Sequence, residues 1–337
     1  MGTRTVMHIG PWDSQGGMSS VMKSLEANPP EGWSAIHISS HSEGGFFHKI
    51  RAYRSARKRM VSAMDYGRFD IAHFHVTHSM SWWRKDRLMK ICERKGIPIV
   101  IHIHSGRFQE FCSGIMGNSV RRSLNRRNKK VVLLENRWLE LLSPWIPSDS
   151  LVIPNSSESI ANRSEHSLGP EIRLLVMSRN SRGKGHEFAI GVVESLQELG
   201  IEAVLRMTGI EKLPESKAPP ESVEALGWVS MERRGELVLW ADFLLQPSEF
   251  EGSSMSVIEA MASGLPPMVS VASKETVGLR SLVLPLESPR KWAERISQLS
   301  HEEEYLETVS SVRREAERFS PEATREQWGK LYESMLE

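Results

Sequence analysis

Two glutamates eight residues apart, Glu251 and Glu259, stand in the stretch of this chain best suited to chemistry. Residues 242–266 read D-F-L-L-Q-P-S-E-F-E-G-S-S-M-S-V-I-E-A-M-A-S-G-L-P. Phe243, Leu244 and Leu245 make the short apolar run of a buried parallel strand. Pro247, Ser248 and Gly252 break it. From Ser253 to Met261 the spacing is helical, with Met255, Ile258 and Met261 on one side, and Gly264 and Pro266 stop the helix. A helix start has free N–H groups and a partial positive charge, so Ser254, Met255 and Ser256 could hold an anion. Carboxylates beside it could hold hydroxyls. A ligand with both phosphate and hydroxyls, such as a nucleotide sugar, would suit the pair; two solvated acids beside a turn would share the same spacing.

A second loop of similar character follows the apolar run Ile172–Ser178. It reads R-N-S-R-G-K-G, residues 179–185, ahead of a helix over about 187–199. Arg179 and Lys184 bring positive charge, and Gly183 and Gly185 let the backbone approach a phosphate. The P-loop pattern is not met. Near the start of the chain, a strand over 5–10 leads through P-W-D-S-Q-G-G to a helix, with Gly16 and Gly17 in the turn. No G-x-G-x-x-G is present, so a nicotinamide dinucleotide is not expected. Further strands are expected over 35–39, 70–76, 98–104 and 130–135, with a helix from about Arg137. In the second half they are expected over 204–208, 223–226 and 267–271, with helices over 288–304 and 321–336. Strands alternating with helices predict parallel sheets, whose ligands bind beyond the strands' C-terminal ends. His75 and His104 lie at such ends, and His102 has the facing of His104.

The elements that position these groups need room, and 337 residues allow two domains of ordinary size. Hydrophobic residues at 39% and charged residues at 25% fit a globular chain. No apolar run reaches the ~20 residues of a membrane span. The N-terminus runs directly into a strand without a signal peptide's apolar core, and the two cysteines, Cys92 and Cys112, show no metal spacing. A cytoplasmic protein is the expectation. The net charge of +1 hides an asymmetry. Residues 1–155 carry 23 basic and 12 acidic side chains, a net of +11, and the remainder carries −10. Such a split suggests two domains with different partners, the first meeting something anionic.

Taken together, these motifs resemble the retaining nucleotide-sugar glycosyltransferases of family 4, also called glycosyl transferases group 1. The resemblance rests on P-S before Glu251, seven residues to Glu259, then E-A-M-A-S-G-L-P. It also rests on the R-x-x-x-x-K-G spacing from Arg179 to Gly185, with Ser178 where the family has glycine, and on I-P-N before Ser156. It implies an α/β GT-B fold, two Rossmann-like domains whose parallel sheets face an interdomain cleft. The implied domains are 1–155 for the acceptor, 156–315 for the nucleotide sugar, and a helix in 316–337 crossing back to the first. It implies that Arg179 and Lys184 clamp a donor diphosphate, that Glu259 holds the ribose hydroxyls, and that Glu251 contacts the transferred sugar. Gly16 and Gly17 would lie over the donor's diphosphate and the acceptor region, and His104 would be the acceptor-side active-site histidine. Trp228 in G-W-V-S would lie near the base or in the core. The reaction implied is metal-independent transfer of a hexosyl or N-acetylhexosaminyl group, with no cofactor beyond the donor, expected to be a UDP-sugar. An epimerase of the same architecture, or a non-catalytic nucleotide-sugar or membrane binder, would share the pattern.

Two basic stretches, 48–64 and 119–130, suggest contact with an anionic membrane surface and a lipid-linked or polysaccharide acceptor. In the first, Ile50, Tyr53, Met60 and Met64 share one arc, flanked by Lys49, Arg51, Arg54, Lys58 and Arg59. Trp82 and Trp83 would either anchor at the interface or pack inside. Nucleic acid is not expected, since no motif for it appears. Peripheral attachment to the inner face of the membrane follows as an expectation.

Overall fold

The computed structural model describes residues 3–14, 16–42, 44–213 and 222–337. The chain forms two compact units, residues 1–156 with 321–337, and residues 157–320.

The first unit is a wound α/β sheet. Its elements are β1 (Arg4–Gly10), α1 (Gly17–Ala27), β2 (Trp33–Ser39), α2 (Phe46–Asp65), β3 (Ile71–Val76) and α3 (Met80–Arg94). There follow β4 (Ile99–Ile103), α4 (Phe108–Ser113), α5 (Gly117–Leu124), β5 (Lys129–Leu133), α6 (Arg137–Leu142) and β6 (Leu151–Val152). All described pairings are parallel, in the order β2-β1-β3-β4-β5-β6. β3 and β4 are buried along their whole length, as strands covered on both faces must be. On one face the core is apolar, with Phe74, Ile101 and Trp82 among its fully buried side chains. The other face is unusual for a core. Alternation along the strands brings His8, His73, His75 and His102 into it, and Trp328 and Tyr332 from the chain's last helix cover it.

The second unit begins with β7 (Ile172–Met177), α7 (His186–Glu198), β8 (Ala203–Thr208), β9 (Val223–Ala225) and α8 (Met231–Trp240). It continues with β10 (Phe243–Gln246), α9 (Met255–Ser263), β11 (Pro267–Val269), α10 (Lys274–Val277), α11 (Pro289–Leu299) and α12 (Glu302–Ala316). Its parallel sheet runs β11-β10-β7-β8-β9. The closing helix, α13 (Pro321–Ser334), belongs to the first unit. There Arg325 donates to the Asn28 side chain at 3.4 Å, and Tyr332 packs on Trp33 with ring centroids 5.1 Å apart.

Several expectations are corrected. The helix expected over 288–304 is two helices, broken at Ser300 and His301. Three acids, Glu302 to Glu304, open α12, where the helix dipole favours them. β11 stops at Val269 because the Ser270 hydroxyl turns back to accept from the Ala272 N–H at 3.2 Å and starts a 3₁₀ turn. Trp82 is fully buried and packs edge-on against Phe108, so it is no interfacial anchor; Trp83 packs against Phe111.

Candidate active site

In each sheet the strand order reverses at one place, and sheets of this kind bind ligands there, beyond the strands' C-terminal ends. In the second unit that place is between β7 and β10, and both polar loops of the sequence leave from it. Gly185, at φ +71°, adopts the left-handed conformation, and a Cβ there would overlap the Pro247 carbonyl. The loop after β7 is therefore seated directly on the loop after β10. The Glu249 N–H donates to the Gly183 carbonyl at 2.8 Å and joins them again. His186, at the start of α7, shares a hydrogen bond of 2.9 Å with the Ser178 hydroxyl. Burial, and then the Lys184 charge, hold its imidazole below the usual range.

This seating brings Lys184 to Glu251, with Nζ and Oε1 2.6 Å apart. Gln246, at the end of β10, donates to the same carboxylate oxygen at 2.5 Å and to the Ser248 hydroxyl at 2.8 Å. Arg179 is exposed and has no hydrogen bond or ion pair among the described residues. Ser254 precedes α9, and the Ser256 hydroxyl donates to the Met177 carbonyl at 2.6 Å, tying the helix start to the end of β7. The first N–H groups of α9, from Met255 onwards, have no intrahelical acceptor. Glu259 follows one turn into the helix and is buried at 2% exposure. Arg234 of α8 pairs with its Oε2, and Oε1 has no partner among the described residues. Burial pushes the Glu259 carboxyl up, and the Arg234 charge opposes this. Two further polar atoms, Gln246 Oε1 and Ser253 Oγ, are buried without a partner among the described residues. Unmet buried acceptors and hydroxyls beside a set of charges fit a site that awaits a polar ligand.

Arg234 and Gln246 escape a reading of the sequence. Arg234 is the second of two adjacent arginines in an ordinary amphipathic helix, and only packing shows which one turns inward. Gln246 is visible only as the end of an apolar run. Trp228 is half exposed and therefore no core residue.

In the first unit, Gly16 precedes α1 with φ +124°, a conformation that glycine alone adopts readily, and Gly17 starts the helix. His104 lies one residue past β4, its N–H donating to the Val76 carbonyl at 2.9 Å. Its Nε2 is 3.0 Å from Nδ1 of His75, so the two strand-end histidines of the sequence are joined rather than alternatives. Burial, and then the Lys85 charge, push the His104 imidazole down to about 3. Lys85 is itself buried, and burial, aided by Arg84, lowers it to about 7. His78 and Ser105 meet at 2.6 Å beside it in sequence.

The basic stretches divide. In α2, Ala56 and Met60 are core, while Phe47, Ile50, Arg51, Arg54, Lys58 and Arg59 are exposed. In 119–130, Lys129 is buried against Glu93 at 2.7 Å, Arg126 pairs with Glu93 at 2.9 Å, and Lys130 pairs with Asp149. Those three charges serve the unit's own interior and edge. Arg121 and Arg122 are exposed, close in sequence to the exposed Ile115 and Met116. Among the described residues no helix is long and apolar enough to cross a membrane.

Comparison with known proteins agrees with this architecture. Residues 171–302 match the sequence model of the family Glycosyl transferases group 1. A curated glycogen synthase of Lactococcus lactis is 30% identical over 124 residues, 35% of this chain, which spans about a quarter of that relative's length (25%). Among solved structures, the sucrose-phosphate synthase of Thermosynechococcus elongatus superposes with a TM-score of 0.75 at 15% identity, covering 99% of each chain. Anabaena HepE, solved with UDP-glucose, superposes with a TM-score of 0.70 at 13% identity, covering 98% of this chain and 99% of its own. The chain is a GT-B protein of two Rossmann-like units, and its second unit carries the sequence pattern of glycosyl transferases group 1.

Proposed function

We propose that the protein is a retaining glycosyltransferase that moves a hexosyl or N-acetylhexosaminyl group from a nucleotide diphosphate sugar to a membrane-associated acceptor. One observation carries the reading: Lys184, Glu251, the start of α9 and Glu259 converge at the switch point of the second sheet. Arg179, Lys184 and the free N–H groups from Ser254 to Ser256 receive the diphosphate. They stabilise it most as the bond to the anomeric carbon breaks and charge builds on the leaving oxygen. That set of donors makes a metal unnecessary for the leaving group. Glu259, through Oε1, accepts from a ribose hydroxyl while Arg234 holds Oε2. Glu251, anchored by Lys184 and Gln246, accepts from hydroxyls of the transferred sugar. The acceptor oxygen bonds to the anomeric carbon on the face the phosphate leaves, and its proton passes to the departing phosphate oxygen. No protein nucleophile is required, unlike the two-carboxylate hydrolases. His104, Gly16 and Gly17 serve the acceptor side. UDP is the proposed nucleotide, a choice supported by the UDP-glucose held by HepE.

The acceptor is proposed to be lipid-linked or a growing polysaccharide, met at the inner face of the membrane. The exposed Phe47 and Ile50 beside Arg51 and Arg54 support it, as do Ile115 and Met116 near Arg121 and Arg122. The test is a panel of UDP-, GDP- and ADP-sugars read by thermal shift and slow donor hydrolysis, with and without a chelator. A UDP-sugar should stabilise the protein and be hydrolysed slowly, and Glu251→Gln should abolish hydrolysis while leaving UDP binding. No response to any nucleotide sugar sinks the reading; conversion of the sugar without an acceptor identifies an epimerase.

A further inference from the structure

Five histidines line one buried face of the first sheet, and their ring nitrogens meet in pairs. His8 Nδ1 is 3.1 Å from His75 Nε2, and His75 Nδ1 is 3.0 Å from His104 Nε2. A second chain runs from His102 Nδ1 to His73 Nε2 at 3.2 Å, and from His73 Nδ1 to the Tyr332 hydroxyl at 2.8 Å. Register produces the first chain. β1 and β3 pair His8 with His73, so His75 stands one pleat further along the same face. β3 and β4 pair His75 with His102, and His104 follows two residues on.

Burial keeps these rings neutral at ordinary pH. It lowers His8 and His104 to about 3, and His75 well below its usual value. A neutral imidazole has one N–H and one bare nitrogen. His75 uses both of its nitrogens within the chain, so it donates to one neighbour only when it accepts from the other. Two arrangements satisfy both bonds. In one, all three rings carry the proton on Nδ1; in the other, all three carry it on Nε2. His104 Nδ1 has no partner among the described residues, and the His104 side chain is half-buried. The first arrangement makes that nitrogen a donor, and the second makes it an acceptor.

We propose that His8 and His75 are positioning residues that set the tautomer of His104, so that the interior of the sheet decides whether His104 offers a proton or receives one. The outer nitrogen of His104 then meets its ligand in a state shared with His8 and His75, and it changes tautomer only when both inner rings change with it. The functional consequence rests on the acceptor-side role given to His104 above; the tautomer coupling does not. The same rings form two triads with ligand atoms within 4.8 Å of one another. A metal there would displace the shared protons, and no carboxylate in either triad offsets its charge, while the Lys85 charge is felt at His104.

The experiment is nitrogen NMR of the whole protein with ¹⁵N-labelled histidine, the rings assigned through His8→Phe and His75→Phe. His8, His75 and His104 should share one tautomer, with ¹⁵N–¹⁵N coupling across both hydrogen bonds. A mixed pattern, a doubly protonated ring at neutral pH, or a tightly bound zinc or copper overturns the proposal. In His75→Phe, His104 should relax to a mixture of tautomers. Transferase kcat should then fall about tenfold or more with donor KM unchanged. His75→Gln, whose amide both donates and accepts, should recover part of that loss. If His75→Phe fails to fold, the wild-type tautomer pattern decides alone. If no nucleotide sugar is turned over, the transferase reading fails while the NMR result still stands.

Discussion

The two sheets are both parallel, but they differ in strand order and in the way they present chemistry at their switch points. The second unit uses charge held on loops and a helix start: Lys184 on Glu251, Arg234 on Glu259, and Arg179 exposed. These groups border an apolar core, and of them only Glu259 is buried. The first unit uses neutral groups held on the strands themselves, as histidines buried in the sheet. Loop charges can exchange one partner for another. Imidazoles locked between strands and α13 cannot move, but they can shift protons. The difference teaches that the second unit places its polar groups where a partner can be exchanged, and the first unit places them in a hydrogen-bonded chain inside the sheet.

Acid should separate the two units most strongly. Each buried histidine titrates near 6.5 when unfolded and lower when folded, near 3 for His8 and His104. The unfolded chain therefore binds more protons in that window. Stability is intact above pH ~6.5 and falls as pH drops towards ~3, as each such histidine takes up a proton on unfolding. Hydrogen exchange should show residues 1–156 and 321–337 opening first; earlier opening of 157–320 would break the comparison. A smaller effect is expected from Gly185→Ala. The left-handed backbone and the Pro247 carbonyl both reject a Cβ, so the second unit should lose about 2–3 kcal/mol, read as a lowered Tm and as weaker UDP binding. Unchanged stability would mean that the two loops are not seated on each other.

Lys184→Ala should weaken UDP and its sugar about tenfold to a hundredfold, the worth of a charge-assisted hydrogen bond of about 1.5–3 kcal/mol. Equal UDP affinity in calorimetry would remove Lys184 from the diphosphate. The smallest effect concerns the outside of the first unit. Reversing charge at Arg54, Lys58 and Arg59, all exposed, should reduce binding to anionic vesicles by about 1 kcal/mol per residue, and less at high salt. Undiminished sedimentation with vesicles would leave α2 without a membrane role.

The elements that carry Lys184, Glu251 and Glu259 were legible in the sequence because their signals are local. An apolar run, then proline or glycine, then helical spacing marks each strand–loop–helix start within some twenty residues, and the run from Asp242 to Pro266 is of this kind. The histidines were legible only singly. The spacing of His102 and His104 shows a shared facing, but nothing along the chain says that β3 lies between β1 and β4. The basic stretch 119–130 was overread for the same reason: Lys129 looks like any lysine in a charged run until β5 buries it against Glu93.

By itself, then, the sequence determined the alternation of strands and helices in both units and the two strand–loop–helix stretches that carry Arg179, Lys184, Glu251 and Glu259, since local backbone preferences and hydrophobic periodicity decide these. Only the tertiary structure decided that Arg234 holds Glu259, that Gln246 and Lys184 share one oxygen of Glu251, and that His8, His75 and His104 form a chain. Apart from Gln246 and Glu251, these pairings join residues far apart in the chain. They are set by strand order, register and helix packing, which no local pattern encodes.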